Sequence, residues 1–194
     1  MEHTILPDRI ETATYLCAAA ACGGEVTVTG AEPEHVGTVL QCLTEAGCRV
    51  RCAGRTITLQ APRALGGMSP VRTMPYPGFP TDAQAPLMAA PCTGQGTSLF
   101  IETIFENRFR HAAELARMGA DIRVNGRTAL VTGRPLHGAR VRSTDLRGGA
   151  ALVVAGLAAD GESIVEGITH IDRGYERLAE KLTALGADIR RVEA

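Results

Sequence analysis

The 194-residue sequence has no tryptophan and only 4% aromatic residues, so aliphatic and alanine side chains must fill its core. No apolar run approaches the roughly 20 residues that a membrane-spanning helix needs. The start, Met1-Glu2-His3-Thr4, has no basic stretch followed by an apolar one, which argues against a secretory signal. Net charge is also scarce: 20 basic side chains against 21 acidic ones leave −1 at neutral pH. That balance argues against binding nucleic acid or an anionic membrane through bulk charge. Any phosphate site must be assembled from a few placed arginines. The cysteines (Cys17, Cys22, Cys42, Cys48, Cys52 and Cys92) form no Cys-x-x-Cys pair and no His/Cys cluster at zinc spacing. Neither a disulfide framework nor a metal is expected, and no cofactor is implied. Reduced thiols in a cytoplasmic protein are the expectation, with Cys17 and Cys42 acting as small hydrophobes on helical faces.

What the sequence does contain is repetition, at a period of roughly 65–75 residues, longer than the usual solenoid repeats. Three helices end alike, at Leu43-Thr44-Glu45-Ala46-Gly47, Leu115-Ala116-Arg117-Met118-Gly119 and Leu182-Thr183-Ala184-Leu185-Gly186. In each, the glycine supplies a left-handed C-terminal turn and the chain is expected to enter a strand. Val36, Val39, Leu40 and Leu43 form an apolar stripe at helical spacing, and Tyr175, Leu178, Leu182 and Leu185 form another. Earlier in each copy an aspartate marks a helix start: Asp8, Asp82 and Asp145. An Ala-rich helix, a glycine turn and a β-rich strand follow each of them. Each unit therefore reads helix, strand, helix, strand, and closing strands at residues 56–59 and 128–131 complete the first two.

The units span about residues 1–62, 75–133 and 138–194, with a linker over 63–74. Met74-Pro75-Tyr76-Pro77-Gly78-Phe79-Pro80 excludes helix. Pro86 is tolerable near the start of its helix, whereas Pro91 should shorten or kink it. The third unit has no closing strand of its own, which leaves a sheet edge that proteins normally cover. A strand from elsewhere in a longer polypeptide is the expected cover, the alternative being an edge that is merely frayed.

Five collinear strings carry a family resemblance: Leu6-Pro7-Asp8-Arg9-Ile10-Glu11-Thr12, Pro75 to Gln84, Glu102 to Phe109, Thr144-Asp145-Leu146-Arg147, and His170 to Arg177. Together they resemble the C-terminal domain of the UDP-N-acetylglucosamine enolpyruvyl transferase (1-carboxyvinyltransferase) family over nearly the whole chain. The resemblance implies an α/β fold, an inside-out barrel of three repeated units with helices inside and sheets outside, the third unit being incomplete. It also implies transfer of the enolpyruvyl group of phosphoenolpyruvate to the 3′-hydroxyl of UDP-N-acetylglucosamine, with release of phosphate. The active site of the family lies between this domain and an N-terminal one.

Such a reaction needs a base at the sugar hydroxyl, cations around the charged substrates and a proton donor for the enol carbon. The resemblance places the base and sugar contact on Asp82, although an aspartate at a helix start is more often a cap. It places a backbone contact to the nucleotide sugar at Ile104, which by its surroundings alone is an ordinary strand residue. It places phosphoenolpyruvate binding on Arg173, whose planar donor fork suits carboxylate and phosphate. Arg147 and Arg108 are further candidates for the anion pocket, and Asp145 either steers the cleft or caps a helix. His111 and His170 lack a second ligand at metal spacing and are expected in ordinary polar roles. Cys92 is assigned to packing. The acid of the family, a loop cysteine, belongs to the N-terminal domain, so this chain alone should be inactive. Two other readings are a non-catalytic nucleotide-sugar-binding or regulatory module and a shikimate-pathway relative.

Overall fold

The computed structural model describes residues 4–192. Met1–His3 and the last two residues, on which the expectations about the start of the chain and the end of the third unit partly fall, lie outside them. The first unit runs α1 (Arg9–Cys22), β1 (Glu25–Thr29), a short 3-10 turn at Pro33–Val36, α2 (Gly37–Glu45), β2 (Arg49–Ala53) and β3 (Thr56–Gln60). Asp8 caps α1 by accepting from the amides of Ile10 (2.7 Å) and Glu11 (3.1 Å), which satisfies two of the donors that a helix start leaves free. The strands form an antiparallel sheet in the order β1-β3-β2. Its register pairs buried Val26 with Leu59 and sets Thr27 opposite Thr58 on the outer face.

The second unit repeats this order: β4 (Val71–Arg72), α3 (Thr81–Cys92), β5 (Thr97–Ile101), α4 (Arg110–Arg117), β6 (Asp121–Asn125) and β7 (Thr128–Thr132). Its sheet has the order β4-β5-β7-β6, so β5, β7 and β6 stand as β1, β3 and β2 do. Strand β4 lies inside the segment expected to be a linker and pairs in parallel with β5. The third unit holds β8 (Arg140–Arg142), α5 (Leu146–Ala158), β9 (Ile164–Glu166), α6 (Thr169–Asp172) and α7 (Leu178–Ala184). Strands β8 and β9 form a two-stranded parallel sheet, the counterpart of β4 and β5.

Helices α1, α3 and α5 pack on one another at the centre, and the three sheets lie outside them. Every residue of α3 from Ala83 to Cys92 is buried, as expected of a helix with apolar residues on all sides. Alanine and glycine let the axes approach closely, and Leu16, Leu87, Met88 and Leu152 on these helices are fully buried. Helix α3 continues through Pro86 and ends at Cys92, one residue after Pro91, the proline expected to shorten or kink it. Pro91 lies in the last turn, where its missing amide donor removes only one of the final hydrogen bonds of the helix.

Two expectations for the third unit do not hold. No strand follows α7: residues 187–192 have no regular structure. In the first two units β2 and β6 pair with a closing strand, and among the described residues the third unit has none to offer. Leu185, expected to be buried, is 57% exposed, whereas its counterparts Ala46 and Met118 are 2% and 0% exposed. The apolar stripe of α7 is sound through Leu182, but nothing in the third unit covers its last turn.

Candidate active site

The amino-terminal turns of α3 and α5 meet at one end of the central bundle. Asp145 caps α5, its Oδ1 accepting from the amides of Arg147 (3.1 Å) and Gly148 (2.8 Å). Asp82 does not cap α3. Pro80 occupies the cap position, and Asp82 is the second residue of the helix, which leaves its carboxylate free of backbone contacts. Arg108 Nη2 donates to Asp82 Oδ1 at 2.9 Å, and Arg147 Nη2 donates to Oδ2 at 3.2 Å. The Asp82 side chain is 44% exposed, whereas those of Arg108 and Arg147 are 20% and 12% exposed. Two largely buried guanidinium groups thus hold one accessible carboxylate.

Aromatic rings support both arginines. The Arg147 guanidinium carbon lies 5.4 Å from the centre of the Tyr175 ring, and that of Arg108 lies 5.5 Å from the centre of the Phe105 ring. Such stacking orients a cation without using its hydrogen-bond donors. Tyr175 is itself buried and its hydroxyl lies 2.8 Å from Thr14 Oγ1 of α1. The third central helix is thereby joined to the site. Nε and Nη1 of Arg147 and Nε of Arg108 are buried without a hydrogen-bond partner among the described residues.

Glu102, absent from the residues singled out in the sequence, organises the loop beside this group. It is 1% exposed and follows directly on β5. Its Oε1 accepts from Thr73 Oγ1 (2.8 Å), Ile104 N (2.7 Å) and Phe105 N (3.0 Å), and its Oε2 accepts from Thr81 Oγ1 (2.8 Å). Burial works to raise the Glu102 pKa, but the amides of Phe105 and Ile104 and the two hydroxyls outweigh it and hold the carboxyl below its ordinary value.

Ile104 lies in a bend after β5 and is not a strand residue, because the strand ends at Ile101. Its amide is taken by Glu102, so a backbone contact to a ligand falls to its carbonyl. His111, on α4, is buried with Nε2 unpartnered among the described residues. Burial pushes its pKa down to about 4, with nearby Asp145 opposing and Arg108 assisting. Gly148 and Gly149 have a steric reason: a Cβ at Gly148 would lie 2.9 Å from Asp145 Oδ2, and one at Gly149 would lie 2.6 Å from Ile171 Cγ1.

Arg173 stands apart from the Asp82 group. It follows α6, and its Nη2 lies 3.4 Å from His170 Nδ1. Its acidic neighbours are engaged elsewhere: Asp172 with Arg191 (2.9 Å) and Glu176 with Lys181 (3.6 Å). Cys92 is fully buried, donates to the Met88 carbonyl (3.2 Å), and has its thiol pushed up to about 12 by burial. These are the properties of a packing residue.

Three repeated units around buried helices, with an Arg-Asp-Arg group at one end, define an enolpyruvyl-transferase-like domain. The chain belongs to the EPSP synthase (3-phosphoshikimate 1-carboxyvinyltransferase) family, which matches residues 1–182. It is 56% identical over 193 residues to UDP-N-acetylglucosamine 1-carboxyvinyltransferase 1 of Symbiobacterium thermophilum, covering 99% of this chain and 44% of the relative. It is 52% identical over 195 residues to UDP-N-acetylglucosamine 1-carboxyvinyltransferase of Myxococcus xanthus, covering 100% of this chain and 46% of that one. Among solved structures, the enolpyruvyl transferase NikO from Streptomyces tendae superimposes with a TM-score of 0.85 at 30% identity, over 99% of this chain and 46% of NikO. EPSP synthase from Acinetobacter baumannii shares the fold, with a TM-score of 0.73 at 20% identity over 95% of this chain and 46% of that one. The chain thus spans about half the length of the curated relatives it matches.

Proposed function

We propose that this chain supplies one wall of an enolpyruvyl transferase active site, acting on phosphoenolpyruvate and UDP-N-acetylglucosamine at the entry to peptidoglycan synthesis in the cytoplasm. The observation that carries the reading is the accessible Asp82 carboxylate between Arg108 and Arg147. A carboxylate has about four lone-pair directions, so Asp82 can accept the sugar 3′-hydroxyl while both arginines stay bound. In the reaction the hydroxyl oxygen bonds to C2 of phosphoenolpyruvate, while its proton passes to Asp82 and an acid protonates C3. Loss of a C3 proton and of phosphate then restores the double bond. Arg173, without an acidic partner among the described residues, and the guanidinium groups of Arg147 and Arg108 suit the phosphate and carboxylate of phosphoenolpyruvate. Ile104 offers its carbonyl to the nucleotide sugar. Asp145 orders the first turn of α5 and thereby the Arg147 backbone.

The acid and the remaining substrate contacts come from an N-terminal half. The exposed Leu185 and the outer edge of β9, unpaired among the described residues, support a partner segment closing the third sheet. The purified chain should release no phosphate from the two substrates, and co-expression with an N-terminal half from the family should produce turnover. In that assembly Asp82→Asn, which keeps the shape but removes the basic oxygen, should lower kcat by about 10²–10⁴-fold. Wild-type turnover by Asp82→Asn would refute the role of Asp82, and turnover by the chain alone would refute the shared site.

A further inference from the structure

We propose that Glu102 is a positioning residue for this site, fixing Asp82, Arg108 and the Ile104 carbonyl relative to one another. The proposal rests on the reading of the site as part of an enolpyruvyl transferase, although one of its tests needs no turnover. Four donors from three separate stretches of chain converge on the one carboxylate. Thr73 lies just after β4, Thr81 begins α3 immediately before Asp82, and Ile104 and Phe105 form the bend after β5. Every element that delivers a side chain to the Asp82–Arg108 pair is therefore tied to Glu102. On one side the link runs through Thr81 to the adjacent Asp82. On the other it runs through the Phe105 backbone, whose ring lies against Arg108, to the Arg108 bond with Asp82.

The chemistry of the partners explains why a carboxylate stands here. The two amides can only donate. The Thr73 hydroxyl already accepts from the Thr103 amide at 2.8 Å, so its own proton is directed at Glu102. Oε1 thus faces three donors, which an ionised carboxylate, an acceptor without protons, satisfies. A glutamine can present its carbonyl oxygen to the same three donors and turn its amide toward Thr81, whose hydroxyl can rotate to accept. It preserves the geometry with weaker, uncharged bonds. Alanine removes all four acceptor contacts and leaves the bend without its anchor. Glu102 is too deeply buried to meet substrate directly, so its effect passes through the groups it holds.

Two measurements test this. In the 194-residue chain, Glu102→Ala should speed amide hydrogen exchange at Ile104 and Phe105 by about 10-fold or more, since each loses its acceptor. Amides of α3 and α5 beyond their first turns should keep wild-type protection. Unchanged exchange at Ile104 and Phe105, or an equal loss across the central helices, would overturn the proposal. In the assembly with an N-terminal half, Glu102→Ala should lower kcat by about 10²-fold, as a displacement of about 1 Å at a reacting group does. KM for phosphoenolpyruvate should move by less than about 5-fold, whereas KM for the nucleotide sugar should rise as the Ile104 anchor is lost. Glu102→Gln should recover most of both losses. A wild-type kcat in Glu102→Ala, or Glu102→Gln no better than alanine, would also overturn it. Should Glu102→Ala fail to fold, Thr81→Val carries the test, because it severs only the link beside Asp82. It should lower kcat with KM held, and wild-type kcat would count against the proposal. If the wild-type assembly shows no turnover at all, the enolpyruvyl reading fails, while the exchange measurement still decides the role of Glu102.

Discussion

His111 gives the protein a pH-dependent stability whose size can be worked out. The ring is buried, its Nε2 has no partner among the described residues, and burial lowers its pKa from 6.5 to about 4. In the unfolded chain the imidazole takes up a proton as pH falls below 6.5, whereas in the folded protein it stays neutral until pH 4. Between those values the unfolded state binds more protons, so stability falls with falling pH and levels off below both. Each pKa unit is worth about 1.36 kcal/mol, so the full penalty is about 3 kcal/mol, of which about 2 kcal/mol accrues between pH 7 and pH 5. His111→Leu has no proton to bind and is of similar size to the buried ring it replaces. Urea unfolding of both proteins across pH 4–8 isolates the effect, because the contributions of the carboxylates are common to both. Wild-type stability relative to the leucine variant should drop by about 2 kcal/mol from pH 7 to pH 5. Burial is the largest cause of the shift. The Asp145 charge and a hydrogen bond to the Arg108 backbone pull the pKa up and the Arg108 charge pulls it down, so none of these neighbours alone sets the result. A difference independent of pH would show that the ring is not held neutral and would refute the reasoning.

Two further outcomes follow from the interior. Tyr175→Phe removes the hydroxyl facing Thr14 Oγ1, which still donates to the Ile10 carbonyl at 2.8 Å, so the Thr14 proton keeps its acceptor. Chemical denaturation should show a loss of about 1 kcal/mol, the usual net worth of one hydrogen bond, and a loss above about 3 kcal/mol would mean that the ring position itself had changed. Cys22 and Cys52 are exposed, whereas Cys17 and Cys92 are fully buried with their thiols pushed up by burial. An aromatic disulfide reagent should therefore modify Cys22 and Cys52 in the native protein and reach Cys17 and Cys92 only on unfolding; rapid native modification of Cys92 would contradict its packing role.

The repeats were legible because their signals are local. Gly47, Gly119 and Gly186 take φ of 102°, 93° and 95°, the left-handed turns that their helix-ending context implied. Asp8 and Asp145 cap as an aspartate at a helix start should. What stayed hidden depends on contacts distant in sequence or on offsets of a residue or two. Nothing near Glu102 announces its role, because Thr73 and Thr81 reach it from 29 and 21 residues upstream. Ile104 looked like strand because the apolar run of β5 gave no sign that the chain bends at Glu102. Leu185 kept helical spacing, yet its exposure depends on strands that the third unit lacks among the described residues.

The three central helices carry different residues at one equivalent position, the second of each helix: Ile10 in α1, Asp82 in α3 and Arg147 in α5. In the first unit that residue is apolar and buried at 6% exposure, an ordinary part of the core. In the other two it has become an acid and a base that meet at 3.2 Å, because close packing of alanine-rich helices brings their first turns together. The capping residue determines what each can do. Where aspartate caps, as in α1 and α5, its oxygen is committed to backbone amides. In α3 proline holds the cap position, and the aspartate two residues on keeps both oxygens for other partners. The same residue type at a helix start is thus structural in two units and chemically available in one. The difference lies in a two-residue displacement that only the helix boundary reveals.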